Sequence, residues 1–237
     1  MKPLILASGS PRRAKILRDL GVEFEIVKTE APEVAIPHDP VRTVTENACA
    51  KLRAAVAQER DPPRAVATSC DPPEVVGRAI LAADTIVWFD NRIYGKPRDL
   101  EEAKEFLREL SGQTHVVFTG VAFWNGKGEG ALDTSCKGEC ALATACVRSE
   151  VTFRKLSEEM IDDYVARVHP TDRAGAYDID ESGDLIVASY EGSYENIMGL
   201  PVEPLHDFGV LVARSQQVAT LPMRSQQVAT LPDLRKR

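Results

Sequence analysis

The chain has few cysteines and histidines, and it lacks long apolar segments. Its 237 residues include four histidines and five cysteines, of which only Cys136 and Cys140 are close in sequence. This composition argues against a secreted disulfide framework and against a zinc site. The apolar runs are too short and too interrupted to cross a bilayer, and the first residues lack the apolar core of a signal peptide. We therefore expect a cytoplasmic protein with no membrane partner.

An excess of positive charge is also missing. The formal net charge is -7, which argues against extended nucleic-acid binding. A small cluster of basic residues could still bind one phosphorylated ligand, so the positions of the basic residues matter more than their number. The apolar content of 43% is that of a globular chain that can bury a large core.

Strand-like and helix-like patterns alternate along the chain. Short apolar runs such as PLILAS, EFEIVKTE and AILAADTIVWF are separated by amphipathic segments with helical spacing, in which Val41 and Leu100 are expected to face the core. The second half is richer in strands, and its segment DLIVASY is also expected to be a strand. This alternation predicts an α/β fold with mixed strand directions.

We expect one domain over residues 1–213, followed by a tail. An insertion near residues 61–78 contains four prolines and is expected to be a loop. The segment RSQQVATLP occurs twice, starting at Arg214 and at Arg224, and is too short to be a structural repeat. Residues 214–237 are therefore expected to be a disordered extension without a role in the chemistry.

The acidic segment AGAYDIDESGD, at residues 174–184, has some features of a calcium-binding loop. Asp178, Asp180 and Gly183 match the first, third and sixth positions of an EF-hand loop. Ser189 stands where that loop requires a bidentate glutamate, and the flanking helices are missing. We therefore do not expect a calcium site.

A phosphate-binding site is expected where the first strand meets the first helix, in LILASGSPRRAKIL. Ser10 is expected to be the N-cap and Pro11 the first helical residue, so the positive end of the helix dipole and its free N–H groups form an anion site. Ser8 and Ser10 add hydroxyl groups, and Arg12 and Arg13 add guanidinium groups that bind phosphate oxygens. The alternative is an ordinary capped helix with two solvated arginines.

An acid inside an apolar strand provides a second candidate for chemistry. Asp84 lies in AADTIV, where burial of an unpaired carboxylate is costly, so it is a structural acceptor, a magnesium ligand or a general base. Lys96, between a glycine and a proline, is either a fixed cation or a solvated turn residue. Lys51 and Glu33 have no distinguishing spacing of their own.

The motifs SGSPRR, ADTIV, GKPRD, LSGQTH, DRAGAYDI and EGSYENIMGLP together resemble, in order, those of the Maf family of nucleotide pyrophosphatases. The resemblance extends from residue 4 to about residue 205. It implies a long mixed sheet flanked by helices, with two lobes around a cleft, as in inosine triphosphate pyrophosphatases. It further implies hydrolysis of a nucleoside triphosphate to the monophosphate and pyrophosphate with a divalent metal, Mg²⁺ or Mn²⁺, and it is compatible with a homodimer.

The resemblance also implies roles for individual residues. Ser8, Ser10, Arg12, Arg13 and Thr85 would contact the substrate, while Lys51 and Lys96 would neutralise charge on the phosphates. Asp84 would activate a water molecule or hold the metal, with Glu33 as a second metal ligand. Glu30, three residues before Glu33, is the alternative to it.

The acidic segment would then read the base. The pyrimidine-preferring branch of the family typically has AGAYGIQG, whereas this chain has AGAYDIDE, with Asp180 in place of the glutamine. Because an ionised carboxylate only accepts hydrogen bonds, Asp180 would favour a donor edge, as in cytosine or guanine. The alternatives are UTP and dTTP as substrates, or solvated acids without contacts.

A second class of function is a nucleotide-binding regulator of septum formation without turnover. Intact Asp84, Lys96 and both arginines argue against it. The sequence argues against a P-loop kinase or GTPase and against a Rossmann dehydrogenase, because neither glycine-rich fingerprint is present.

Overall fold

The computed structural model describes residues 3–60, 78–126 and 142–211. The expectations for the insertion up to residue 77, for Cys136 and Cys140, and for the repeated tail lie outside these residues. Within the described ranges, no helix is both long and apolar enough to cross a membrane.

Strands and helices alternate through most of the described chain. In chain order the elements are β1 (Leu4–Leu6), α1 (Pro11–Asp19), β2 (Phe24–Ile26), α2 (Pro40–Arg60), β3 (Ile80–Phe89), β4 (Arg92–Tyr94), α3 (Leu100–Leu110), β5 (Thr114–Trp124), β6 (Leu142–Phe153), α4 (Glu158–Arg167), two 3₁₀ turns (Pro170–Asp172 and Ala174–Ala176), α5 (Gly183–Ile186), β7 (Val187–Glu191), α6 (Tyr194–Met198) and α7 (Glu203–Asp207).

The seven strands form one mixed sheet in the order β2-β1-β3-β5-β6-β7, with β4 beside β3. β1 is parallel to β2 and β3, and the remaining pairs are antiparallel. Helices cover both faces. The predicted α/β class, the mixed strand directions and the flanking helices are confirmed.

The expected strand DLIVASY is partly wrong. Residues up to Ile186 belong to the helical turn α5, and only Val187–Glu191 form a strand. Ser182 has a positive φ of 57°, which turns the chain into α5 and buries Ile186. The strand begins only where Val187 aligns with Phe153 of β6.

Two side chains expected in the core are exposed instead. Val41 is 46% exposed and Leu100 is 51% exposed. Each lies in the first turn of its helix.

One edge of β3 has different partners along its length. β5 pairs with the opposite edge from Ile80 to Trp88, so β1 and β4 share this edge. The β1 register ends at Leu81 and the β4 register begins at Val87. Residues 82–86 therefore lie between two strand partners, at the carboxyl end of β1, where α/β sheets place their ligands.

The apolar core is divided at the same level. Residues Ile80 to Ala83 of β3 pack into two clusters, one under α2 and one under α1, while Val87 packs into a third cluster with α3 and α4. Asp84 and Thr85 separate them. The sheet thus carries apolar clusters on both sides of a polar section.

Helix α2 lies unusually close to the sheet beside this polar section. Gly120 of β5 is paired with Asp84, and a Cβ atom added to Gly120 would lie 2.5 Å from the backbone carbonyl of Val44 in α2. Only glycine permits this approach. The contact brings the inner face of α2 against Asp84.

His115 of β5, whose ring packs edge-on against Phe153 and Tyr177, is expected to make stability dependent on pH. The ring is 1% exposed, its Nε2 lies 3.0 Å from the hydroxyl of Tyr177, and burial lowers the His115 pKa from 6.5 to about 3. Below pH 6.5 the unfolded chain binds a proton that the folded chain does not, so stability is fully present above that pH and falls as the pH is lowered.

The expected loss for wild type is about 1 kcal/mol between pH 7 and pH 5.5, measured by urea unfolding. His115→Gln should remove most of this pH dependence. His206→Gln, at an exposed position on α7, is the control. Equal pH dependence in the His115 variant and the wild type would contradict the prediction.

Candidate active site

The predicted anion site lies at the start of α1. Ser10 is the N-cap, Pro11 is the first helical residue, and the Ser10 side chain makes no capping hydrogen bond. Instead, the Ser10 N–H donates to Ser8 Oγ at 3.2 Å. Because no side chain of the N-cap covers the first turn, its N–H groups and the positive helix end are available to an anion.

Arg13 is buried behind this anion site. Its Nε donates to the Gly199 carbonyl at 2.7 Å, Nη1 donates to Ser8 Oγ at 3.0 Å, and Nη2 donates to Thr85 Oγ1 at 3.0 Å. Burial lowers the pKa of Arg13 to about 10, so the group remains charged near neutral pH. Arg13 therefore orients Ser8 and Thr85 and places a positive charge beneath the anion site.

The close approach of α6 to Arg13 depends on Gly199. This residue has a φ of +104°, and an added Cβ would lie 3.1 Å from Thr85 Oγ1. Glycine adopts this conformation without steric cost and leaves space for the guanidinium group. The GLP sequence after α6 is thus part of the site.

Arg12 is more accessible than Arg13, with 25% of its side chain exposed. Its Nη1 donates to Asp178 Oδ2 at 2.9 Å, while its buried Nε has no hydrogen-bond partner in the described part of the chain. Burial lowers its pKa, and nearby acids oppose that shift. Arg12 joins α1 to the acidic segment.

Asp178 is the centre of the acidic segment and is only 4% exposed. Its Oδ1 accepts from the backbone N–H groups of Asp180 at 2.8 Å and Glu181 at 3.4 Å. Its Oδ2 contacts both Arg12 and Arg173. The alternative of solvated acids without contacts is therefore wrong for Asp178.

Asp180 also has protein partners. Its Oδ1 accepts from the Tyr194 hydroxyl at 3.0 Å, and Oδ2 lies 3.6 Å from Lys15 Nζ. Its side chain is 39% exposed. The role of Asp180 in reading a base remains a prediction.

A second polar cluster lies on the α2 side of β3. Asp84 is 6% exposed, its Oδ1 is 2.5 Å from Lys51 Nζ, and its Oδ2 accepts from Asn47 Nδ2 at 3.0 Å. Glu33 Oε1 lies 2.8 Å from the same Lys51 Nζ. The structure thus brings together Asp84, Lys51 and Glu33, which are distant in sequence.

The charges near Glu33 favour its ionised form. Burial opposes ionisation, but the hydrogen bond from Lys51 and the charges of Lys51, Lys96 and Arg13 outweigh it, so the Glu33 pKa is lowered. Lys96 is exposed, yet it is close enough to contribute to this shift. Charges on both α1 (Arg13) and α2 (Lys51) therefore act on the same carboxylate.

Two residues at the site were missed by the sequence analysis. Asn47, on α2, donates a hydrogen bond to Asp84. The sequence pattern could have indicated it, because Thr43, Asn47 and Lys51 are spaced four residues apart and therefore share one helical face. The side chain of Lys28 lies over Gly9, with its Cε 3.5 Å from the position of a Cβ there. Only the tertiary fold places Lys28 beside the anion site.

Removal of the Asp178 carboxylate should destabilise the protein. Asp178→Ala leaves Arg12 and Arg173 without their shared partner, and the expected loss in the free energy of unfolding is about 3 kcal/mol. Asp184→Ala, at an exposed position in the same segment, is the control and should change stability by about 0.5 kcal/mol or less. Urea unfolding measures both variants. Equal free energies of unfolding for the two variants would show that the ion pairs of Asp178 do not contribute to stability.

Comparison with known proteins identifies relatives over most of the chain. A dTTP/UTP pyrophosphatase of Bacillus cereus (strain ATCC 10987 / NRS 248) is 38% identical over 205 residues, which cover 86% of this chain and 87% of that protein. A dTTP/UTP pyrophosphatase of Bacillus cytotoxicus is 37% identical over 205 residues, covering 86% and 93%.

A solved structure, the nucleoside-triphosphatase / dITP/XTP pyrophosphatase of Mycobacterium abscessus, is 16% identical with a TM-score of 0.35, covering 65% of this chain and 76% of that chain. The family model described as Maf-like protein matches residues 3–208, almost the whole described chain. With this match and the relatives above, the chain belongs to the Maf family, as its motifs predicted.

Proposed function

We propose that this protein hydrolyses nucleoside triphosphates to monophosphates and pyrophosphate, with a divalent metal. One observation carries the proposal: the anion site at α1 and the Asp84–Lys51–Glu33 cluster meet where neither β1 nor β4 covers β3. The first binds phosphate, and the second supplies carboxylates and a cation. The printed names of the Bacillus relatives support the same activity.

The triphosphate would bind at the start of α1. Ser8, Ser10 and the N–H groups of the first turn face the phosphates, and Arg12 supplies a partly exposed guanidinium. Arg13, whose three hydrogen bonds go to protein atoms, contributes its charge and orients Ser8. Lys51 and Lys96 neutralise charge on the α-phosphate and on the leaving pyrophosphate.

The donor set fits a divalent cation such as Mg²⁺ or Mn²⁺. Glu33 and Asp84 both contact Lys51 Nζ, so their oxygens are close together, and the described residues contain no group of three or more acidic, histidine or cysteine ligands. Mg²⁺ typically takes one or two carboxylates and completes its shell with water and substrate phosphates. When bound, it would polarise the α-phosphate and lower the negative charge of the substrate.

Asp84 is the proposed base. Its carboxylate is oriented by Asn47 and Lys51, and it would accept the proton of a water molecule whose oxygen bonds to the α-phosphorus. The bond between the α-phosphorus and the bridging oxygen then breaks, and pyrophosphate leaves with the electron pair. Lys51 would stabilise the charge that develops during this step.

The proposed substrates are pyrimidine nucleotides, with UTP and dTTP first. Asp178 is engaged by Arg12 and Arg173, and Asp180 by Tyr194 and Lys15, which argues against a free carboxylate that selects a donor edge. The names of the relatives favour the same two nucleotides. CTP and guanine-type nucleotides are the alternative.

The biological role that fits this activity is removal of unwanted nucleotides in the cytoplasm. A regulator of septum formation without turnover is the competing function. A panel of UTP, dTTP, CTP and 7-methyl-GTP, assayed for monophosphate with Mg²⁺ or Mn²⁺, separates the two. Tight binding of a nucleotide without formation of monophosphate from any member of the panel would contradict the proposed enzymatic function.

Asp84→Asn should abolish turnover and preserve the fold. The amide keeps the shape of the side chain but can neither take the proton nor hold the metal, so kcat should fall more than ~100-fold. Asp19→Asn, at an exposed position near the end of α1, is the control and should keep full activity. Thermal unfolding establishes that both variants are folded, and near-normal kcat in Asp84→Asn with Mg²⁺ would rule out its role.

The two arginines should respond differently to substitution. Arg12→Ala should raise KM and lower kcat, each by about tenfold, because Arg12 contacts the triphosphate in both the ground state and the transition state. Arg13→Lys should lose activity and also stability, since a lysine cannot reach Gly199, Ser8 and Thr85 together.

Arg18→Ala, at an exposed position on the same helix, is the control for both arginine variants. Steady-state kinetics and urea unfolding distinguish the two roles. Wild-type kinetics in Arg12→Ala would place the phosphates elsewhere.

A further inference from the structure

Asn47 makes three hydrogen bonds, and together they connect two segments that carry acids. Its Oδ1 accepts from the Val34 N–H at 2.8 Å, and its Nδ2 donates to the Val34 carbonyl at 3.0 Å. The same Nδ2 donates to Asp84 Oδ2 at 3.0 Å. The side chain thus binds both backbone groups of the residue next to Glu33 while it also holds Asp84.

The location of Asn47 explains how its contacts fix the separation between the backbone beside Glu33 and the Asp84 carboxylate. The residue is only 4% exposed, on the inner face of α2, and the close packing of α2 at Gly120 holds this face against β3. Lys51, one helical turn later, contacts Glu33 and Asp84 from the same face. Asn47 fixes the backbone beside Glu33 and the carboxylate of Asp84, and Lys51 lies between the two acids.

Thr43 provides an internal comparison, one helical turn before Asn47. Its Oγ1 accepts from the Ile36 N–H at 3.0 Å and donates to the Asp39 carbonyl at 2.8 Å. Thr43 therefore holds the same loop on α2, but it makes no hydrogen bond to Asp84 among the described residues. Comparison of Thr43 and Asn47 variants can therefore separate a general loosening of this loop from a change in the positions of Glu33 and Asp84.

We propose that Asn47 is a positioning residue that sets the separation of Glu33 and Asp84 for a divalent cation. The inference rests on the proposed function, because it assigns these two acids to the metal. Asn47 itself contacts neither the substrate nor the reacting atoms. Its contribution comes from the geometry of the two carboxylates before a nucleotide binds.

The test compares wild type with Asn47→Ala, Asn47→Thr and Thr43→Ala. Binding of Mn²⁺ to the full chain without nucleotide is measured by calorimetry, and hydrogen exchange is followed at the Val34 and Ile36 amides. Turnover of UTP with saturating Mn²⁺ is measured in parallel. Asn47→Thr replaces the amide by a shorter hydroxyl group, which is expected to accept from the Val34 N–H as Thr43 does from Ile36. It removes the amide N–H group that donates to Asp84.

Asn47→Ala should weaken Mn²⁺ binding and lower kcat, each by about tenfold or more. It should also lose protection from hydrogen exchange at the Val34 amide. Asn47→Thr should keep protection at Val34 and still bind Mn²⁺ more weakly. Thr43→Ala should lose protection at Ile36 and keep its Mn²⁺ affinity within about twofold of wild type.

Unchanged Mn²⁺ affinity in both Asn47 variants, or an equal loss in Thr43→Ala, would overturn the positioning role. Failure of the wild type to bind Mn²⁺ without nucleotide would also overturn it. Turnover by wild type reports separately on the proposed function. If the wild type hydrolyses UTP and the Asn47 variants bind Mn²⁺ as the wild type does, only the positioning role is contradicted. If the wild type does not hydrolyse UTP, the proposed function is contradicted.

Discussion

The site depends on one feature of the sheet, the stretch of β3 between the end of β1 and the start of β4. Here β3 places Asp84 toward α2 and Thr85 toward α1, and one edge carries no strand in register. Because successive side chains point to opposite faces, one strand supplies an acid to one layer and a hydroxyl to the other. The gap is what allows groups from both layers to meet.

The buried polar groups at this site have partners inside the protein. Asp84 is held by Lys51 and Asn47, and Arg13 donates three hydrogen bonds to protein atoms. A buried charge without such partners would neutralise or destabilise the fold. A chain with a net charge of -7 therefore concentrates positive charge at one internal cleft, which suits a small polyanion better than a nucleic-acid surface.

Much of this arrangement could be predicted from local sequence, and the reason is physical. The start of α1 is encoded by adjacent residues, since Ser10 and Pro11 define a helix start, and Asp84 is conspicuous as an acid among apolar strand residues. The partners of Asp178 could not be predicted, because Arg12 is 166 residues away and meets it only in the folded chain. The pairing of Asn47 with Val34 and Asp84 likewise requires the packing of α2 on Gly120.

The most direct test of the proposed chemistry is the position of attack on the triphosphate. UTP is hydrolysed by wild type in water enriched in ¹⁸O with Mg²⁺, and the products are analysed by mass spectrometry. Activation of water beside Asp84 for attack at the α-phosphorus predicts that the label enters the phosphate of UMP and is absent from pyrophosphate. Label in pyrophosphate or in free phosphate would place the attack on another phosphorus and contradict the proposed arrangement of the site.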